Sequence, residues 1–218
     1  MRERRHADYR CDVPEGRGGE DHCLCSPSRG GTAGRVSSGS YRPRPPGYGQ
    51  EVGDKRVTEP EVIGDHAERL PHLIDLARAN GADLLIIDTA PNADRASLTA
   101  ARAADMILIP CRPAAFDLEA IEATTDLASI AKKPAWVLLN ASPIRSAITD
   151  EAAKSLEVKG TKVCPHVLHV RVAYSHSVID GRTALEFEPD GKAADEVRAV
   201  FRWTRGQVGL PTRQRAAA

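Results

Sequence analysis

From Arg56 onward the apolar residues of this chain switch between two periods, one helical and one continuous. In "ERLPHLIDLARANG", Leu70, Leu73, Ile74 and Ala77 recur at helical spacing, and Gly81 marks the stop. "ADLLIIDTAP" is a short unbroken apolar run ending in a polar turn, the pattern of a strand buried on both faces of a parallel sheet. "DRASLTAARAA" reads as a helix, "DMILIPCRP" as a second buried strand, and "DLEAIEATTDLASIAKK" as a helix with Asp117 placed to cap it. "AWVLLNASP" is a third strand, "TDEAAKSLEVKG" a helix, "TKVCPHVLHV" a weaker fourth strand, and "GKAADEVRAVFRWTR" a closing helix. Such alternation predicts an α/β fold with a mostly parallel sheet and flanking helices. Right-handed crossovers then place the strand ends near Asp88, Pro110 and Asn140 on one edge.

Residues before Arg56 follow no such pattern. They contain no isoleucine, their one leucine is Leu24, and arginine, glycine, serine and proline crowd "SPSRGGTAGRVSSGSYRPRPPGYG". A segment like this buries too little apolar area to offset its ordering entropy. The expected organisation is a low-complexity, disordered segment over 1–56, an α/β domain over 57–205 and a tail over 206–218.

Charge narrows the function little. Thirty basic and thirty acidic side chains leave a net charge of zero over 218 residues, so only local clusters can point to nucleic acid. No run approaches the length of a membrane span and no leader pattern opens the chain, which gives the expectation of a cytoplasmic protein without membrane contact. Five cysteines without a leader argue against a disulfide framework. His22, Cys23 and Cys25 lack a second ligand pair at finger-like spacing, so they are read as unrelated to metal.

The candidate chemistry lies at the carboxyl ends of the strands, where open parallel sheets bind ligands. Leu84–Ile87 run into Asp88, Thr89, Ala90 and Pro91. An aspartate there either holds a magnesium-bound water beside a triphosphate or caps the following turn. The second strand ends in Pro110, Cys111, Arg112 and Pro113, which reads as a rigid turn with a solvated arginine. The third ends at Asn140, whose amide offers a donor and an acceptor to an adenine edge or else serves a turn. Arg198, Arg202 and Arg205, at i, i+4 and i+7, line one stripe of the closing helix, as DNA-phosphate contacts or as a solvated face.

Taken together, "GADLLIIDTAP", "AADMILIPCRPAAFDLEAI", "VLLNASP" and "GRTALEFEPDGKAADEVRAVFRW" resemble, in order and spacing, the ParA/MinD family of partition ATPases over Val57 to Arg205. The resemblance implies a P-loop NTPase-like fold of the deviant Walker A class. It implies that Asp88 is the Walker B aspartate holding Mg2+ through water, that Thr89 lies in the same nucleotide site, and that Asn140 contacts adenine. It further implies ATP and Mg2+ as cofactors, a homodimer formed around ATP, non-specific DNA and a ParB-like adaptor as partners, and plasmid or chromosome partitioning as the function. A receiver domain also carries "DLLIID", but no earlier strand supplies the further acidic residues that its phosphorylation site needs.

One departure from the family is large. Its first strand, its KGGxGKT loop and its second strand ending in DxDPQ are not spelled in this chain. Where the loop belongs stands "VPEGRGGEDHC", Val13–Cys23, whose Glu15, Glu20 and Asp21 would repel phosphate. The codons of Val13–Cys23 can be chosen so that the frame one nucleotide later reads SQKGGAGKTT. The same shift permits VAVIDLDPQ from Ser38–Gly47 and LIIAVM from Ala7–Asp12. Three matches in one frame, in the family's order, give the expectation of an out-of-frame first quarter. No catalytic residue is then intact, and the chain is expected to lack ATPase activity. The alternative is a non-catalytic remnant that binds a partner protein or DNA.

Overall fold

The computed structural model describes residues 66–89 and 95–210. The expected low-complexity segment over 1–56, the shifted-frame stretches and the last residues of the expected tail lie outside them. Among the described residues two strands form the regular sheet. Ile107–Cys111 (β1) and Ala135–Leu139 (β2) run parallel in register from Ile107 opposite Ala135 to Cys111 opposite Leu139. The predicted weaker strand continues the sheet as two isolated parallel bridges, Val137 with Val163 and Ser142 with His169. Pro165 has no N–H to give to a ladder, and the Cys164 and Leu168 N–H groups reach Val137 and Leu139 on either side of it.

Helices follow the periodicity closely. A 3-10 turn, Ala67–Arg69, leads into Leu70–Ala79 (α1), which buries Leu70, Leu73 and Ala77. Gly81 at φ +76° ends it: its N–H bonds the Arg78 carbonyl and the next N–H bonds that of Ala77. Arg95–Ala103 (α2) follows, then Ala115–Ala120 (α3) and Glu122–Ala131 (α4) after β1. Ile148–Val158 (α5) follows β2, and Lys192–Gln207 (α8) runs two residues beyond the predicted Arg205. Val172–Ser177 (α6) and Ala184–Phe187 (α7) were not foreseen; the latter starts in a capping box in which Thr183 and Glu186 bond each other.

Both sheet faces are covered, as a parallel sheet requires. On one, Ile109, Cys111, Val137 and Leu139 pack with Ile121 and with Ala152 and Leu156 of α5. On the other, Leu138 and Cys164 pack with Val200 of α8, and Trp203 meets Trp136 edge to face at 5.1 Å. Among the described residues no helix is long and apolar enough to cross a membrane.

Three expectations need correction. Asp117 does not cap its helix: Ala114 is the N-cap, and Asp117 lies in the first turn with its carboxylate on Arg112 at 3.2 Å. The predicted single helix also breaks at Ile121, which turns inward to the core. Leu84–Ile87 forms no strand among the described residues, and Ile86 is 47% exposed. A parallel strand needs a neighbour to take its N–H and C=O groups, and no described strand flanks this segment.

Candidate functional site

The carboxyl edge of β1 and β2 is built by hydrogen bonds that outlast the strands. The Asn140 N–H donates to the Cys111 carbonyl at 2.8 Å, which levels Asn140 with Arg112. Ser142 then donates its N–H to the Leu168 carbonyl at 3.0 Å and accepts from the Val170 N–H at 2.9 Å. Between them Ala141 sits at φ +48°, a left-handed position that a side chain disfavours by about 1–2 kcal/mol. The side chains here divide unevenly. Asn140 Oδ1 accepts its neighbour's N–H, from Ala141, at 2.8 Å, so the acceptor half of the amide serves the turn. Its Nδ2 makes no hydrogen bond among the described residues. Ser142 is fully buried, and its Oγ has no partner among the described residues.

Asp88 and Thr89 follow Leu84–Ile87 and are half-buried. Ile87 packs with Ala67, Leu73 and Ala96, in the layer of α1 and α2. That layer reaches the sheet through Ala101 and Leu98 of α2, which pack around Leu127, Ala131 and Ile107. Among the described residues the segment bearing Asp88 does not join the ladder that positions Asn140.

The end of the second predicted strand behaves as the solvated turn foreseen. Arg112 is exposed and grips Asp117 through Nε and Nη2 at 3.3 and 3.2 Å. Beside it the Cys111 thiol is pushed up to about 11 by burial, with Asp117 adding to the rise and Arg112 opposing it. Of the three arginines on α8, Arg198 pairs with Asp195 at 3.1 Å and Arg205 lies over the Phe201 ring at 5.8 Å. Arg202 is the most open of the three to solvent.

A cluster that the sequence reading passed over ties this edge to α8. Glu196 accepts from the His169 N–H at 3.2 Å, from Arg171 Nε at 2.9 Å and Nη2 at 2.6 Å, and from the Tyr174 hydroxyl at 3.3 Å. His169 Nδ1 lies 2.8 Å from the same carboxylate. Burial alone would raise the Glu196 carboxyl, but the Arg171 and His169 bonds outweigh it and hold the group below the usual carboxylate range. Burial, then Glu196, pushes the Tyr174 phenol up to about 12. One signal could have found the cluster: Glu196 sits on the buried face of α8, three residues after Ala193 and four before Val200. An acidic residue on that stripe needs a cationic partner.

No protein-family model matches the chain. The maintenance of carboxysome distribution protein A of Halothiobacillus neapolitanus is 29% identical over 161 residues, covering 71% of this chain and 73% of that protein. The septum site-determining protein MinD of Pyrococcus horikoshii, solved with Mg-ADP, superposes at a TM-score of 0.61 and 13% identity, covering 82% of this chain and 87% of that one. The ParA family ATPase of Chlorobium tepidum superposes at 0.57 and 17% identity, covering 78% and 86%. The parallel sheet with helices on both faces and these similarities agree: the chain has the fold of the MinD and ParA ATPases and is similar in sequence to the carboxysome distribution protein.

Proposed function

We propose that this chain keeps the base-reading half of a ParA/MinD nucleotide site and lacks the phosphate-binding half, so that it does not hydrolyse ATP. The observation that carries the reading is Asn140 at the carboxyl end of β2, whose Oδ1 is taken by the Ala141 N–H while its Nδ2 makes no hydrogen bond among the described residues. A donor of that kind suits a ring nitrogen of adenine. Asp88 and Thr89 would complete the magnesium shell. Magnesium, when bound, would neutralise charge between the terminal phosphates. The phosphates themselves do not fit the sequence available to them. Most affinity for a triphosphate comes from inward N–H groups and lysines of a glycine-rich loop, whereas Glu15, Glu20 and Asp21 bring negative charge.

The out-of-frame reading of residues before Arg56 explains that gap within the same proposal. It is supported by the three matches in one shifted frame and is consistent with the half-exposed Ile86 beside Asp88. With the frame restored, the protein would dimerise around ATP and position a cargo through non-specific DNA and a DNA-bound adaptor. Plasmid or chromosome partitioning is the proposed task; the related carboxysome distribution protein suggests organelle positioning as its variant. Equilibrium binding of ADP and GDP with Mg2+ to the full chain tests the base half. Weak binding that prefers adenine, with the preference lost in Asn140→Ala, supports the reading. Equal affinity for both nucleotides, unchanged by that substitution, refutes it.

A remnant that acts by binding DNA alone is the second reading, favoured by the exposed Arg202 on a helix that also carries Arg198 and Arg205. It predicts duplex binding that falls steeply with salt without nucleotide.

A further inference from the structure

Beyond its carboxyl end β2 does not continue as a regular strand. Leu168 gives its N–H to the Leu139 carbonyl at 3.0 Å and takes the Ser142 N–H on its own carbonyl at 3.0 Å. An evenly spaced parallel ladder would use Ala141, two residues after Leu139, for the second bond. One residue too many therefore lies between the two bonds, which makes a β-bulge. The N–H directions show its effect. In a straight strand Asn140 and Ser142 would face the same neighbour, yet Asn140 bonds Cys111 of β1 and Ser142 bonds Leu168 on the other side. The chain turns over at Ala141, at φ +48°. There the Ala141 N–H meets Asn140 Oδ1 at 2.8 Å, so the bulge also aims the Asn140 amide.

A left-handed bulge residue is ordinarily glycine, because a Cβ is disfavoured there. Alanine has no such freedom, so its neighbours must hold the bulge. On the far side from β1 the holding bonds come from Leu168 and from Val170, whose N–H reaches the Ser142 carbonyl at 2.9 Å. Among the described residues no strand pairs with the outer edge of that segment. Glu196 of α8 takes the place of one. Leu168 and Val170 turn their N–H groups toward β2, and the His169 N–H between them donates outward to Glu196 Oε2 at 3.2 Å. His169 Nδ1 lies 2.8 Å from Oε1, and Arg171 donates to the same oxygen from Nε and Nη2. The two residues that Glu196 grips thus flank Val170, and Val170 holds Ser142.

We propose that Glu196 is a positioning residue for base recognition: by anchoring His169 and Arg171 it keeps Ala141 in its left-handed form and so fixes how the Asn140 amide is presented. The functional consequence rests on the nucleotide reading given above, while the mechanical link is measurable without nucleotide. Backbone strain persists only where the surroundings over-determine it. Without the carboxylate the 169–171 segment loosens, Ala141 relaxes to an ordinary backbone conformation, and the Asn140 amide loses its fixed direction. A recognition group left free to turn in this way no longer tells one base from another.

Hydrogen exchange of the Ala141 amide in the full chain, read against that of Val137 in β2, measures the bulge without nucleotide. The ratio of ADP to GDP affinity with Mg2+ measures its consequence. Glu196→Ala should speed Ala141 exchange about tenfold or more, the order of one charge-assisted bond, and bring the affinity ratio close to one. Glu196→Gln, which keeps one acceptor, should move both readouts part of the way, and it takes over the test should Glu196→Ala not fold. Leu127→Ala, a core truncation in α4 that packs on Ile107 at the other end of β1, controls for general destabilisation and should change neither readout. Ala141→Gly removes the steric penalty at the bulge, so adding it to the Glu196 variant should restore most of the adenine preference. A purely structural Glu196 gives no such rescue. Ala141 exchange unchanged in the Glu196 variants, or quickened equally by Leu127→Ala, overturns the proposal. So does an adenine preference that survives the loss of Glu196 or is not rescued by Ala141→Gly. A wild-type chain without adenine preference refutes the nucleotide reading instead, and the exchange comparison then decides by itself whether Glu196 holds the bulge.

Discussion

Glu196→Gln should destabilise the protein at neutral pH and leave it nearly unaffected in acid. The native carboxylate takes two bonds from Arg171, contact from both the backbone and ring of His169, and one from Tyr174. Breaking a fully buried pair from one side costs about 3–5 kcal/mol, because the remaining charge is stranded. Here Glu196 and Arg171 are 15% and 19% exposed, so water relieves part of that, and glutamine keeps one acceptor. A loss of about 2–3 kcal/mol follows. At about 2–4 °C per kcal/mol for a chain of this size, the melting temperature should fall by about 4–12 °C. The carboxyl is held below its ordinary value in the folded state, so its contribution is full above the ordinary glutamate range. It is lost as pH falls through the depressed folded value, where the unfolded chain binds the proton first. Urea unfolding of both proteins from pH 7 to pH 3 measures the gap. A gap below about 0.5 kcal/mol at pH 7, or one that persists undiminished at pH 3, would refute the assigned network.

Leu156→Ala, at a site 2% exposed beneath the sheet, should cost about 2–4 kcal/mol in urea unfolding, whereas Val158→Ala, 87% exposed one turn-end away, should cost less than about 0.5. Tyr174 should ionise near pH 12 by ultraviolet absorbance; because its folded value is raised, its contribution is complete below about pH 10 and fades as pH climbs through 12, and Tyr174→Phe should remove that alkaline limb. The thiol of Cys111, raised to about 11 and buried, should resist iodoacetamide at pH 8 in the native protein and react on unfolding; fast native alkylation would contradict the described core. Neutralising Arg198, Arg202 and Arg205 together should reduce duplex DNA affinity and its salt slope if α8 touches phosphates, and Arg202 alone should account for most of the change, since Arg198 already holds Asp195.

The elements that the sequence made legible are those whose burial depends on their own residues. Ile107–Cys111 and Ala135–Leu139 are apolar on both faces and could only be central strands, and the Leu70–Leu73–Ala77 stripe could only be a packed helix. What escaped depends on partners far along the chain. Leu84–Ile87 has the same apolar pattern as β1 yet forms no ladder among the described residues, because strand identity needs a neighbour as well as a pattern. Asp117 was placed as a cap from its position alone, and its preference for Arg112, five residues earlier, is a tertiary choice of the β1–α3 turn. Asn140 was legible as a strand-end residue, but not that its Oδ1 turns back on Ala141. Glu196 finds its partners 22–27 residues away, a separation at which no local spacing rule reports contact.

The central claim, that this chain has the ParA/MinD fold but not its phosphate-binding loop, is tested most directly by magnesium-dependent ATP hydrolysis measured in parallel on two proteins. One is the chain as it stands and the other carries residues before Arg56 restored to the shifted frame. The first should show no turnover above a contaminant control, since losing even one preorganised donor to transferring charge costs on the order of a hundredfold or more. The restored protein should hydrolyse ATP, and Asp88→Asn within it should abolish the activity. Robust turnover by the unrestored chain, or a restored chain that stays inactive while folded, would contradict the account.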